Sequence, residues 1–134
     1  MPHHHRRHRA LFGDCDPAGI VYYPRFFAWF DQTFHDWLHA YGGHRALCAR
    51  LQAIGIGLTN ADASFRSPAR EGDLLETTLT ISEWNARHLL LDYEVRCGDR
   101  LVASGSERRR LFQHDDNRIV AGDMLRLRKL IDVG

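Results

Sequence analysis

The segment from Pro24 to Tyr41 limits the fold more than any other. Phe27, Phe30, Phe34, Trp37, Leu38 and Tyr41 recur at spacings of 3, 4, 3, 1 and 3, which is one face of an α-helix. Arg25, Asp31, Gln32, His35, Asp36 and His39 fill much of the remainder. Pro24 suits the first helical turn, where its missing N–H costs nothing, and Gly42-Gly43 supplies the stop. Such a helix is about 27 Å long. So aromatic a face needs a large apolar surface to cover it.

The chain after the helix supplies that surface. His44–Gln52 reads as a short second helix, with Leu47 and Leu51 four apart, before Gly55 and Gly57 interrupt it. From Leu58 the period changes to two. Leu58–Ser67 reads as a strand stopped by Pro68 and the Arg70–Asp73 turn, and Leu75, Thr77, Leu79 and Ile81 alternate with polar residues up to a turn at Asn85-Ala86. Leu89, Leu91, Tyr93, Val95 and Cys97 share a face opposite His88, Asp92, Glu94 and Arg96, with Leu90 as the exception. Gly98-Asp99 makes a two-residue hairpin into Leu101–Phe112, within which Gly105 marks a bulge or a close approach. A short strand at Arg118–Ala121 and a helix at Asp123–Leu130 close the chain. Ahead of the long helix, Arg7, Arg9 and Leu11 alternate with His8, Ala10 and Phe12, as an edge or near-edge strand would. The expected fold is α+β, a curved antiparallel sheet wrapped around one long central helix.

At 134 residues with no linker or repeat, the chain is expected to be a single domain spanning 1–134. Eighteen basic residues against 17 acidic ones leave a net charge of +1, which gives no field for a nucleic-acid partner. No apolar run approaches the roughly 18 residues of a membrane span, and the N-terminus is polar. Three cysteines without a Cys-x-x-Cys pair fit reduced thiols, so a soluble cytoplasmic protein is expected. The histidines at 3, 4, 5 and 8 admit a metal-binding reading, but no acid or cysteine nearby completes a ligand set, and a polar first strand is the plainer one. No metal and no cofactor is expected.

The chemistry concentrates just before the helix, in Gly13-Asp14-Cys15-Asp16-Pro17-Ala18-Gly19-Ile20-Val21-Tyr22-Tyr23. Pro17 and Gly19 preset a tight turn, and the helix start beyond it offers unpaired N–H groups and partial positive charge. Asp16 there is either a turn former or a carboxylate working beside an N–H cluster that suits a ligand oxygen. Cys15 has no evident histidine partner and reads as a packed turn residue.

Phe12 to Pro24 resembles the signature of the hotdog-fold acyl-CoA thioesterases, in detail the 4-hydroxybenzoyl-CoA thioesterase branch. Asp62-Ala63-Ser64-Phe65 and Glu83-Trp84 follow in matching order, so the resemblance extends over nearly the whole chain. It implies a hotdog fold and hydrolysis of an acyl-CoA thioester to a free acid and CoA. Asp16 would be nucleophile or general base, the backbone N–H of Tyr23 would polarise the carbonyl, and Gly19 would shape the turn. Tyr23, where a related branch carries His, favours an aryl-CoA such as hydroxybenzoyl- or benzoyl-CoA. Asp31 matches an acidic helix position near the substrate's ring hydroxyl; otherwise it is a solvated helix carboxylate. Of a basic run expected after Glu83-Trp84 near the CoA phosphates, only Arg87 keeps its charge. Arg108 and Arg110, on one strand face with Arg109 on the other, are either a solvated face or phosphate ligands across a subunit boundary. The resemblance also implies a homodimer or homotetramer, since the family places each site between two protomers. The alternatives are a thioesterase for short aliphatic acyl-CoA or acyl-carrier protein, a module that binds acyl thioesters without cleaving them, and, less favoured, a dehydratase.

Overall fold

The computed structural model describes residues 3–133, and among them the elements run β1 (His3–Arg9), a 3-10 turn (Phe12–Asp14), α1 (Pro24–His39), α2 (His44–Leu51), β2 (Gly55–Phe65), β3 (Leu74–Trp84), β4 (Leu89–Cys97), β5 (Arg100–Asp115), β6 (Arg118–Ala121) and α3 (Met124–Val133). The strands form one antiparallel sheet in the order β1-β3-β4-β5-β2, with β6 paired to the far end of β5. β1 is one edge, though it ends at Arg9 and does not run on to Phe12, and β2 is the other.

α1 runs along the inner face of this sheet. His8 of β1 lies against Trp29, His4 reaches Asp36, and Trp37 meets Trp84 at the end of β3, so the helix travels from the Leu74 end of the sheet toward the Trp84 end. Its buried face is Phe26, Trp29, Phe30, Thr33, Phe34, Trp37 and Leu38. This corrects the sequence reading at its two ends. Phe27 is only half-buried and Phe26 takes its place, because two adjacent phenylalanines differ by just 100° around the axis and spacing alone does not rank them. The helix ends at His39, where Gly43 N–H bonds Leu38 O at 3.0 Å and both Gly42 and Gly43 adopt positive φ; Tyr41 sits in that turn.

The strand faces follow the alternation. Leu89, Leu91, Tyr93 and Val95 of β4 are buried against Leu75, Leu79 and Ile81 of β3 and the helix aromatics, while Asp92 and Glu94 point outward. Gly105 of β5 is a close approach and not a bulge. Its pairing with Tyr93 and Ala63 is in register, and a Cβ there would meet the Phe30 ring at 2.5 Å and also the Asp62 carbonyl oxygen. Burying a side chain such as Phe30, Phe34 or Leu38 stabilises the fold by about 1.5–3 kcal/mol each, and all three are 0% exposed. No helix among the described residues is long and apolar enough to cross a membrane.

Candidate active site

The loop between the 3-10 turn and α1 folds back on itself as a narrow hairpin. Cys15 bridges Val21, Asp16 N–H bonds Ile20 O at 2.9 Å, and Tyr22 N–H bonds Asp14 O at 2.8 Å. Bonds from Val21 N–H to Ala69 O and from Gly72 N–H to Ala10 O fasten this hairpin at the Leu74 end of the sheet. Gly19 closes the tip at φ +83°, with nothing within 4 Å of a would-be Cβ. Glycine is required there by backbone conformation and not by crowding.

The two acids divide the work. Asp14 is structural: its carboxylate accepts Leu11 N–H at 2.9 Å and lies 3.8 Å from Arg25 Nε. Asp16 is partly a turn former. Its Oδ1 accepts Ala18 N–H at 2.8 Å, its carbonyl accepts Gly19 N–H at 2.9 Å, and its Oδ2 has no hydrogen-bond partner among the described residues. The carboxylate is half-buried and borders a concavity with Phe12, Cys15, Pro17, Gly19 and Glu71.

The helix start leaves one donor over. Pro24 has none, Arg25 N–H goes to Tyr22 O at 2.9 Å and Phe26 N–H to Tyr23 O at 3.1 Å, while the Tyr23 N–H meets no acceptor among the described residues. Tyr23 borders a second, mostly apolar concavity with Phe26, Phe65, Pro68 and Ala69, its ring 6.0 Å from that of Phe65. Asp16 and Tyr23 thus share one hairpin but open onto neighbouring concavities of a single chain. Tyr22 and Tyr23 are 50% and 55% exposed, so they are surface and not core, whereas Phe26 and Trp29 are core.

The remaining residues singled out from sequence are spread along the molecule. Asp31 lies eight residues beyond Tyr23, about 12 Å along the axis. It is not a freely solvated carboxylate: Arg109 Nη2 donates to its Oδ1 at 2.8 Å, and His35 Nε2 stands 3.4 Å from the same oxygen. Arg87 is exposed in the β3–β4 turn, where Asn85 Oδ1 accepts its backbone N–H at 2.8 Å. Arg108 and Arg110 share the outer face of β5, Arg108 exposed and Arg110 half-buried. All three arginines sit near the Trp84 end, since Leu90 pairs with Arg108 and Leu89 with Trp84. β3 spans roughly 33 Å between the two ends, so one chain does not bring these arginines to Asp16.

Arg109 departs from the reading of the basic run as a solvated surface. It is 2% exposed and turned into the core beside Glu107, also 2% exposed. Glu107 Oε1 accepts from Arg109 Nε at 3.1 Å and from Tyr93 Oη at 2.6 Å, and the guanidinium lies 4.0 Å over the Phe34 ring. Burial pushes the Glu107 carboxyl above the usual carboxylate range, with Arg109 and the Tyr93 hydroxyl opposing. Burial, reinforced by the Glu107 charge, drives the Tyr93 phenol strongly up. Sequence reasoning missed this cluster. Counting back in twos from Leu111 along β5 puts Arg109 and Glu107 on the inner face, where opposite charges signal a pair.

The histidine tract does not assemble. His4 Nε2 is 2.6 Å from Asp36 Oδ2, His5 Nδ1 is 3.1 Å from Thr78 Oγ1, and the His8 ring lies 4.3 Å from that of Trp29; the His3 side chain lies outside the described residues. Among the described residues no three His, Cys, Asp or Glu side chains stand in metal-binding reach.

The profile of the thioesterase-like superfamily matches residues 10–124. The chain is 30% identical over 120 residues to a 4-hydroxybenzoyl-CoA thioesterase of Pseudomonas sp. strain CBS-3, covering 84% of this chain and 85% of that one. It is 25% identical over 99 residues to a 1,4-dihydroxy-2-naphthoyl-CoA hydrolase of Prochlorococcus marinus, covering 69% and 66%. A crystal structure of a 4-hydroxybenzoyl-CoA thioesterase mutant in complex with 4-hydroxybenzoyl-CoA superposes with a TM-score of 0.83 at 26% identity, covering 96% of this chain and 97% of that one. The chain belongs to the thioesterase-like superfamily, and its helices and curled antiparallel sheet are the hotdog fold.

Proposed function

We propose that the protein hydrolyses an aryl-CoA thioester to the free acid and CoA at the Asp16 hairpin. One observation carries the reading: among the described residues a single loop leaves both a carboxylate oxygen, Asp16 Oδ2, and a helix-start donor, the Tyr23 N–H, without partners. Those are the two groups that thioester hydrolysis needs. The N–H stabilises charge developing on the carbonyl oxygen, an effect typically worth about 10²- to 10³-fold in rate. Asp16 either attacks the carbonyl carbon, giving a mixed anhydride that water then opens, or takes a proton from the attacking water. In both routes the C–S bond breaks, CoA leaves as the thiol, and the acid keeps one oxygen from water. Gly19 supports the turn that aims the carboxylate.

The aryl preference is supported by the relatives' substrates, hydroxybenzoyl- and dihydroxynaphthoyl-CoA, both ring-hydroxylated. Asp31 is the group we assign to the ring hydroxyl. Its 12 Å or so along the axis from Tyr23 is of the order of a para-hydroxybenzoyl group with a hydrogen bond at each end.

The Asp16 end of one chain has arginines of its own, Arg25 beside Asp14, Arg66 at the Tyr23 concavity and Arg70 bridged to Ile20, but the three we assign to the CoA phosphates, Arg87, Arg108 and Arg110, lie at the other end. β2 is an edge with exposed Leu58 and Phe65, and an unpaired edge is stabilised by pairing with a second copy. Two-fold pairing of β2 edges runs antiparallel and sets the Phe65 end of one protomer beside the Gly55 end of the other. Arg108 and Arg110, one strand in, and Arg87 of the neighbouring turn thereby approach the Asp16 hairpin of the partner. A homodimer is the smallest assembly with a complete site, and a homotetramer contains the same pair.

The test is hydrolysis of 4-hydroxybenzoyl-, benzoyl- and short aliphatic acyl-CoAs, with an acyl-carrier protein conjugate beside them, ranked by kcat/KM. The reading requires aryl-CoA to lead. Recovery of intact, bound thioester after long incubation identifies a binding module instead.

A further inference from the structure

We propose that Arg109 is a positioning residue that fixes the Asp31 carboxylate as a preset acceptor for a substrate hydroxyl, and so sets the preference for hydroxylated acyl groups. The inference rests on the proposed contact between Asp31 and the ring hydroxyl, and adds what makes that contact selective.

Charge balance alone does not account for the bond to Asp31. A buried guanidinium needs a counter-charge, and Glu107 already provides one through Oε1, at 3.1 Å from Nε and 3.0 Å from Nη2. Both side chains are almost fully buried, whereas Asp31 keeps 51% of its side-chain surface in solvent. Yet Arg109 makes its shortest charged contact, 2.8 Å, to Asp31. Its reach is fixed from below by Glu107, which Tyr93 holds in turn at 2.6 Å, and from the side by the Phe34 ring at 4.0 Å.

The geometry also selects which oxygen is left over. Arg109 and His35 both meet Oδ1, and Oδ2 accepts no hydrogen bond among the described residues. An exposed aspartate ordinarily samples several rotamers and must be ordered when a ligand binds. Here one oxygen is held by a core side chain while the other is left without a donor among the described residues, so part of the ordering is in place before binding. A site built to bond a hydroxyl discriminates against an analogue lacking it far more strongly than an apolar pocket discriminates by size.

The readout is the ratio of kcat/KM for 4-hydroxybenzoyl-CoA to that for benzoyl-CoA. Arg109→Met alone strands Glu107 in the core, so the informative variant is Arg109→Met/Glu107→Gln, which removes both buried charges and leaves Tyr93 a partner. In that variant, shown folded by its thermal transition, the ratio is expected to fall at least about tenfold, the discrimination of a lost hydroxyl contact. Turnover of benzoyl-CoA should stay within about threefold, because that substrate has no hydroxyl for Asp31 to bond. Arg109→Lys/Glu107→Gln, with one point charge restored, should recover part of the ratio through KM. Asp31→Asn separates the two layers. If it leaves the ratio intact, the Asp31 contact fails and this inference with it. If it collapses the ratio while Arg109→Met/Glu107→Gln does not, only the role given to Arg109 is overturned.

Discussion

The Phe30 ring stacks on Tyr93 with centroids 4.7 Å apart and planes at 12°, directly above Gly105. This contact sets the distance between α1 and the middle of the sheet, because no side chain on β5 separates them there. Gly105→Ala puts a Cβ against both the ring and the Asp62 carbonyl. Overpacking of this kind costs about 1–3 kcal/mol, and the loss should appear as a lowered Tm and urea midpoint. Unchanged stability would mean that α1 moves freely from the sheet.

Acid sensitivity should trace in part to His8. Burial holds its imidazole below the ordinary value of 6.5; the Arg6 guanidinium, 3.5 Å from Nδ1, adds to this and Asp14 opposes it. Between that ordinary value and the lowered one the unfolded chain binds the proton that the folded chain resists. His8 therefore subtracts nothing at neutral pH, and stability falls as pH drops through this window. His8→Phe keeps a ring on Trp29 and removes Nε2, which is buried without a hydrogen-bond partner among the described residues. The variant should lose less Tm than the parent between about pH 7.5 and about pH 5.5. An equal loss in both would clear His8.

How much of this was legible beforehand depended on period and punctuation. The β4 face, the Gly98-Asp99 hairpin and the β6 strand followed from alternation and turn residues, and β6 matched to the residue. The paired adjacency of Phe26 and Phe27 hid which one faced the core, since both fit a broad helical stripe. In the hairpin, Asp16 and Gly19 stood out because Pro and Gly at fixed offsets leave few conformations. The burial of Arg109 was hidden by composition. Three consecutive arginines look like a solvated surface until the register, set by partners more than ten residues away, turns the middle one inward beside Glu107. The separation of Asp16 from Arg87, Arg108 and Arg110 was equally invisible, because it depends on which end of the sheet each loop joins.

The proposed sharing of each site between two protomers predicts how mixtures behave. Asp16→Asn and Arg108→Ala/Arg110→Ala chains should each be impaired alone, the second mainly in KM. Each mixed dimer formed by coexpression or refolding contains two sites, one of which combines the intact Asp16 of one chain with both intact arginines of the other. Recovery of up to half of the parent activity per mixed dimer is expected. Purified protein should correspondingly run at two or four times its 15.5 kDa chain mass. A fully active monomer, or mixtures no better than their components, would place the whole site in one chain.

The most direct measurement is the turnover number of Asp16→Asn on the best acyl-CoA substrate, taken with its thermal stability. Asparagine keeps an Oδ1 to accept the Ala18 N–H that Asp16 accepts at 2.8 Å, so the hairpin should hold and Tm should barely move. Losing the carboxylate as nucleophile or base should lower kcat by at least about 10²-fold. A folded Asp16→Asn protein with kcat within about threefold of the parent would contradict the assignment of the chemistry to this hairpin.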